Sequence, residues 1–329
     1  MLRPIRTFVQ RHERTLWWLH SAWALAFGIG IIWVGARRFD YLRLAIFHIA
    51  FIWLASRAVH HLVEDPGPGS VWRRRLLVAL NYFNRNFYQQ ILFFILPIYY
   101  ISATVGSANF IFVVVVAASA VLSTLDVVYD EQVASRRILG ALFFAFNLFA
   151  TINLMLPILW ATGHVTAMRV SAALALFAFA TIYHERRHHS LRESLITIAV
   201  AAVLLVALVE RGRGFIPPAP LRLGVSAFGT GVRAEPPQIT GALSALPEKP
   251  GRLYLLTRIV APVGLQDAVR HRWFRDGVLF YESPAYPVRG GREAGYRLWT
   301  YATPGPAAAR VHVDVVTAGG QLIGRASLR

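Results

Sequence analysis

The sequence predicts an α-helical multipass membrane bundle of about seven spans, followed by a C-terminal all-β sandwich of immunoglobulin type. Three observations predict it. Apolar stretches fill the chain up to about residue 209; 56% of its 329 residues are hydrophobic and 16% are charged, against about 25% charged in an ordinary soluble protein. A proline-rich break follows at 215–220. Beyond it, apolar residues alternate in short runs separated by turn residues, which is the pattern of strands. The division gives a transmembrane helical domain over 1–213, a Pro/Gly-rich linker with a first extended segment over 214–250, and a β-sandwich domain over 251–329.

Crossing the hydrocarbon core takes about 20 mostly apolar residues. The stretches at 15–35, 44–59, 90–105, 109–127, 138–160, 170–183 and 195–209 are read as spans. Arginine sets their orientation. One side of the series holds Arg3, Arg6, Arg11, Arg14, Arg57, Arg73, Arg74, Arg75, Arg85, Arg136, Arg137, Arg186, Arg187 and Arg192; the other holds Arg37, Arg38, Arg43 and Arg169. The expectation is a bacterial inner-membrane protein with a cytoplasmic N-terminus, lipid headgroups around its arginines, and a periplasmic C-terminal module. The chain has no cysteine, which removes disulfides and thiolate ligands. Lys249 is the only lysine, so no span offers a Schiff-base amine.

In the C-terminal part, Pro217, Pro218 and Pro220 read as a stiff extended linker. Strands are expected at 252–260, at 271–275 and 278–281 around an Asp276–Gly277 hairpin turn, at 296–301, through Val311, Val313 and Val315, and at 322–327 after Gly319 and Gly320. The strand at 296–301 sets Tyr296, Leu298 and Thr300 on one face and Arg297, Trp299 and Tyr301 on the other. His271 and Trp273 share a strand face, as a satisfied core pair. With Lys249 and thirteen arginines against seven acids, the module suits an envelope protein or an anionic polymer as partner. Nucleic acid is not expected, since no basic stripe interleaves with aromatics outside the spans.

The segment 253–259, the residues 261–265, 271–277 and 295–300, and the closing 320–324 together resemble the bacterial domain-of-unknown-function family 2914. The membrane half is similar to the multipass region often fused to it, over 89–102, 109–110 and 122–129. One departure is Val311, His312 and Val313, where that family usually has Trp-Arg-Val. The resemblance implies an architecture and no activity.

Polar residues collect at three expected span ends: His60, His61, Glu64 and Asp65; Asp126 with Asp130 and Glu131; and His184, Glu185, His188 and His189. His60 and Glu64 share a helical face, as do His184 and His188. The plainer reading is interfacial ion pairing with lipid phosphates and helix dipoles. The alternative is a zinc site built from His60, Glu64, Asp126, His184 and His188, with an open position for a water that attacks a lipid-like ester or amide. The order of these residues is similar to that of the seven-span zinc hydrolases that include alkaline ceramidases and adiponectin receptors. It departs from them in which spans carry the aspartate and the histidine pair. No other cofactor is implied. The expected function is an uncharacterised membrane protein anchoring a β-sandwich binding or scaffolding module, the membrane-embedded zinc hydrolase being the alternative.

Overall fold

A computed structural model of the chain describes residues 13–35, 91–125, 128–184, 191–248, 250–262, 265–292, 294–305 and 309–328. The helices are α1 (Glu13–Gly35), α2 (Ile91–Ser102), α3 (Asn109–Thr124), α4 (Arg137–Trp160), α5 (His164–His184) and α6 (Leu191–Arg211), with a π-helical turn, Tyr129–Ala134, before α4. The chain divides into two compact units. One comprises Met1–Pro97, Val115–Ile152 and Leu174–Ala199; the other comprises Ile98–Val114, Asn153–Ala173 and Val200–Arg329.

The expected seven-span bundle is not what the structure contains. Among the described residues one helix, Ile138–Trp160 within α4, is long and apolar enough to cross a membrane. The other apolar helical stretches, Ser21–Gly30, Ile91–Ser102, Asn109–Thr124 and His164–Ala180, run for 10–17 residues. For α3 the physical reason is length. At 1.5 Å per residue, the 16 residues of α3 reach only about 24 Å, short of the ~30 Å hydrocarbon core. After α2 the chain turns through Gly106, whose φ of 80° no ordinary helix continues. Ser123 and Thr124 turn their hydroxyls back onto the carbonyls of Ala120 and Val121 at the last turn of α3. The expected span at 44–59 lies outside the described residues.

In the first unit, α1 and α2 approach closely at Gly28, where an added Cβ would meet the Phe93 ring at 2.4 Å. In the second unit, α4 meets the segment before α3: buried Asn153 donates from Nδ2 to the Tyr99 hydroxyl at 3.3 Å, and Tyr99 packs edge-on against Phe112. Asn153 thus makes the interhelical hydrogen bond that a polar group in an apolar helix requires.

The rest of the second unit is a β-sandwich. Its first sheet has the order β2-β1-β3-β7, from Gln238–Leu243, Arg222–Arg233, Leu253–Val260 and Tyr296–Ala302. The second has the order β5-β4-β8-β9, from Val278–Glu282, Gln266–Arg275, Val311–Thr317 and Leu322–Leu328, with β6 (Tyr286–Arg289) also on β4. The pairings of these strands are antiparallel. The pairings β3–β7 and β4–β8 are those of strands B–E and C–F in immunoglobulin-type sandwiches. The sheet starts at Arg222, so the segment 214–250 carries β1 and β2. At the expected hairpin, Asp276 and Gly277 take φ of 48° and 87°, the left-handed pair that a type I′ turn needs.

Alternation along the strands builds a core in three layers. Leu221, Ile259, Val269, Leu298 and Val315 belong to one apolar cluster, and Phe228, Leu255, Trp273, Val311 and Val313 to another. Between them, at the intervening inward positions, lie Thr257, His271 and Thr300, all buried. Their hydrogen bonds form one directed chain. Trp273 Nε1 donates to Thr300 Oγ1 at 3.0 Å. The Thr300 hydroxyl is 2.8 Å from His271 Nδ1. His271 Nε2 is 2.9 Å from Thr257 Oγ1, whose hydroxyl donates to the Leu298 carbonyl at 3.1 Å. Only a neutral imidazole with its proton on Nε2 satisfies every member. Burial accordingly pushes the His271 pKa down to about 3.

The unfolded chain takes up a proton on this histidine near the ordinary value of about 6.5, while the folded chain does not until about pH 3. The sandwich therefore loses stability as pH falls through that window, by up to about 1.4 kcal/mol per pH unit from this group. Thermal melting of the wild type at pH 7.5 and 4.5, beside His271→Gln, checks it. The variant is less stable at pH 7.5 and has a shallower pH dependence; equal slopes in the two proteins would refute the assignment.

Candidate functional site: the helix-capped end of the sandwich

The first N–H groups of a helix have no partners within it. Helix α5 begins at His164, just after Gly163, and its first donor is satisfied by the sandwich: His164 N donates to Asp267 Oδ2 at 3.3 Å. Asp267 stands on β4 with the inward parity of Val269, His271 and Trp273, beyond the last apolar layer. A carboxylate at the positive end of a helix dipole is favourably placed. The His164 side chain turns onto the same group, Nδ1 meeting Asp267 Oδ2 in a short contact. The other carboxylate oxygen accepts from Ala268 N at 2.7 Å.

His164 is 3% exposed and the Asp267 side chain 11%. His164 Nε2 lies 3.1 Å from the carbonyl of Ala219, which can only accept, so Nε2 carries a proton. Burial opposes the charge on Asp267. The bond and charge of His164 and the N–H groups of Ala268 and His164 outweigh it and hold the carboxyl below its usual range.

Three more contacts close this end of the unit. Asn109, the first residue of α3, donates from Nδ2 to the Leu322 carbonyl at 2.9 Å, and its Oδ1 accepts from Thr104 N at 3.1 Å. Gln321 Nε2 donates to the Ile216 carbonyl at 3.0 Å. Arg213 Nη1 donates to the Gly319 carbonyl at 3.2 Å, while Glu210 pairs with both Arg213 and Arg169. The proline segment is therefore not a free linker. Residues 216–221 are buried, and Leu221 joins the sandwich core. What the arrangement does chemically is hold: a buried ion pair, doubly hydrogen-bonded, ties a helix end to a strand.

Of the candidate zinc ligands, His60, Glu64, Asp126 and His188 lie outside the described residues, and His184 is described only as the last backbone position of α5. Among the described residues, no group of three or more His, Asp or Glu side chains could hold a metal ion. His271 and Trp273 do share a buried face and are hydrogen-bonded through Thr300. Sequence reading passed over His164, Asp267 and Asn109. Signals for two of them were present: Gly163 before an apolar helical run marks a helix start, and an aspartate at an inward strand position demands a buried partner.

The model of a family of unknown function, DUF5924, matches residues 15–247. That is not family 2914, to which the strand motifs pointed, and the match ends before the stretch on which that resemblance rested. No curated protein and no solved structure matches the chain. The chain belongs to the DUF5924 family.

If the Asp267–His164 pair fastens α5 to the sandwich, Asp267→Asn destabilises the unit by about 1.5–3 kcal/mol, the range for hydrogen bonds to charged groups. Its amides at 164–168 then exchange faster with deuterium. The depressed pKa of Asp267 means that its contribution is complete above the ordinary carboxyl value of about 4. That contribution is lost only as pH falls further, through the folded value. A double-mutant cycle with His164→Ala measures the coupling; strictly additive effects would show that the pair does not act as a unit.

Proposed function

We propose that this DUF5924 protein is held in a bacterial inner membrane through the apolar helix α4 and uses its β-sandwich, on the periplasmic side, to bind or scaffold a component of the envelope. The observation that carries the reading is the capped junction. Asp267, Asn109, Arg213 and Gln321 join helix ends and sandwich into one unit, so whatever the sandwich holds is held at a fixed place beside the start of α5.

Support for the side of the membrane comes from α4, without a count of spans. Arg136 and Arg137 precede its apolar run, Trp160 closes it, and the next arginine is Arg169. The positive-inside rule puts the arginine pair in the cytoplasm and the tryptophan at the opposite interface. Residues 153–173 belong to the same unit as the sandwich, which supports a periplasmic position for it. The excess of arginine over acid in the sandwich supports an anionic partner.

The absence of cysteine makes the test clean. Ser244, exposed after β2, and Ser135, exposed before α4, are changed to cysteine one at a time. A membrane-impermeant maleimide added to spheroplasts labels Ser244→Cys and spares Ser135→Cys until the membrane is opened. The reverse pattern would end the periplasmic reading.

A further inference from the structure

The two outer faces of the sandwich differ in a way that points to a ligand. On the second sheet three outward arginines are neutralised in place: Arg270 and Arg272 pair with Glu282, and Arg325 pairs with Asp314, while exposed Arg289 on the short strand β6 has no acid partner among the described residues. On the first sheet the outward arginines are not neutralised. The outward residues of β3 are Tyr254, Leu256 and Arg258, and antiparallel pairing sets them opposite Tyr301, Trp299 and Arg297 of β7. Arg252, at the foot of β3, lies with its guanidinium 4.8 Å from the centre of the Tyr301 ring. Among the described residues, no acid pairs with Arg252, Arg258 or Arg297; Arg297 reaches only the carbonyl of Pro237, at 3.4 Å.

The face is an aromatic platform with cations at both ends. Tyr254 touches Tyr301 and Trp299 at ring centroid distances of 5.5 and 6.3 Å, tilted by 41° and 39°. Tyr301 is 47% exposed. Beside these rings the outward positions of β1 opposite Tyr254 and Leu256 are Gly229 and Ala227, and the Ile239 side chain of β2 lies over Gly229. Arg252 and Arg258 are six positions apart on one strand, about 20 Å at 3.3 Å per residue.

We propose that this face binds a linear anionic polysaccharide, its sugar rings lying on Tyr254, Trp299 and Tyr301 and its acidic groups reaching Arg252, Arg258 and Arg297. The length of the platform calls for several linked units, because a single headgroup cannot meet cations at both ends. The rings are tilted against one another and Tyr301 already carries a guanidinium on one face. They offer no parallel slot for a nucleobase, whereas the C–H faces of a pyranose pack on tilted rings. The inference deepens the reading of the sandwich as a binding module, and it does not depend on which side of the membrane the module occupies.

The test uses the full chain in nanodiscs of zwitterionic lipid, titrated with alginate oligosaccharides, neutral dextran, a thymidine oligonucleotide, or vesicles containing anionic lipid. Alginate binds, more weakly as salt is raised, and the others bind less or not at all. Trp299→Ala and Tyr301→Ala each weaken alginate binding about tenfold. Arg252→Gln, at a fully exposed position that cannot disturb the core, weakens it and flattens the salt dependence. Arg272→Gln, on the opposite sheet, leaves it unchanged. Melting temperatures equal to the wild type exclude misfolding as the cause. The proposal is overturned by absent alginate binding, by dextran binding as well, by tighter binding of the oligonucleotide or the vesicles, or by indifference to Arg252→Gln and Trp299→Ala. Failure here with periplasmic labelling of Ser244→Cys intact removes the glycan and keeps the anchored module; the converse result removes the location and keeps the glycan.

Discussion

The carboxylate of Asp267 is the constraint from which the arrangement of the second unit follows. A buried charge must be neutralised and hydrogen-bonded, or the fold forfeits several kcal/mol. What does this for Asp267 is the first N–H and the imidazole of α5, from elsewhere in the unit, together with the amide of its neighbour Ala268. The second imidazole nitrogen then needs an acceptor, and the Ala219 carbonyl supplies it. That requirement draws the proline segment inward, next to Leu221 in the core. Helix start, strand end and strap are thus mutually dependent, and none is optimal without the other two.

The polar layer through the sandwich core works by the same logic with neutral groups. Thr257, His271 and Thr300 occupy equivalent inward positions on β3, β4 and β7, between two apolar clusters. A slip of two residues of β3 or β7 would preserve inward and outward faces but would set an apolar side chain, Leu255, Ile259, Leu298 or Ala302, against His271. The directed hydrogen-bond chain from Trp273 to the Leu298 carbonyl would then be broken. Register, which apolar alternation alone leaves open to such slips, is specified by a few hydrogen bonds whose donors and acceptors match in only one alignment.

The elements legible in the sequence are those whose signal is local. Asp276 and Gly277 announced a hairpin because few residue pairs accept two consecutive left-handed conformations. Tyr296 to Tyr301 alternated as half-buried strands do. The span count was not legible, because a stretch of apolar residues does not show where its helix ends. Residues 109–127 are apolar enough to suggest a span, yet the turn at Gly106 before α3 and the hydroxyls of Ser123 and Thr124 at its end leave a helix too short to cross. The aromatic-basic face escaped notice for a related reason. Arg252 and Tyr254 lie more than forty positions from Trp299 and Tyr301, and no continuous basic stripe exists until β3 pairs with β7.

By itself the sequence determined that an apolar helical part precedes a basic β part. It also determined how side chains alternate between faces in the strands at 296–301 and 311–315, and that His271 and Trp273 belong to a core. These properties follow from composition and from periods of two and 3.6 residues, which any window of the chain displays. Tertiary structure alone decided that Asp267 caps the helix beginning at His164, that Asn109 bonds Leu322, and that the proline segment is buried rather than free. The physical reason is that a hydrogen bond between residues more than a hundred positions apart leaves no pattern around either one; it exists only once the intervening chain has folded.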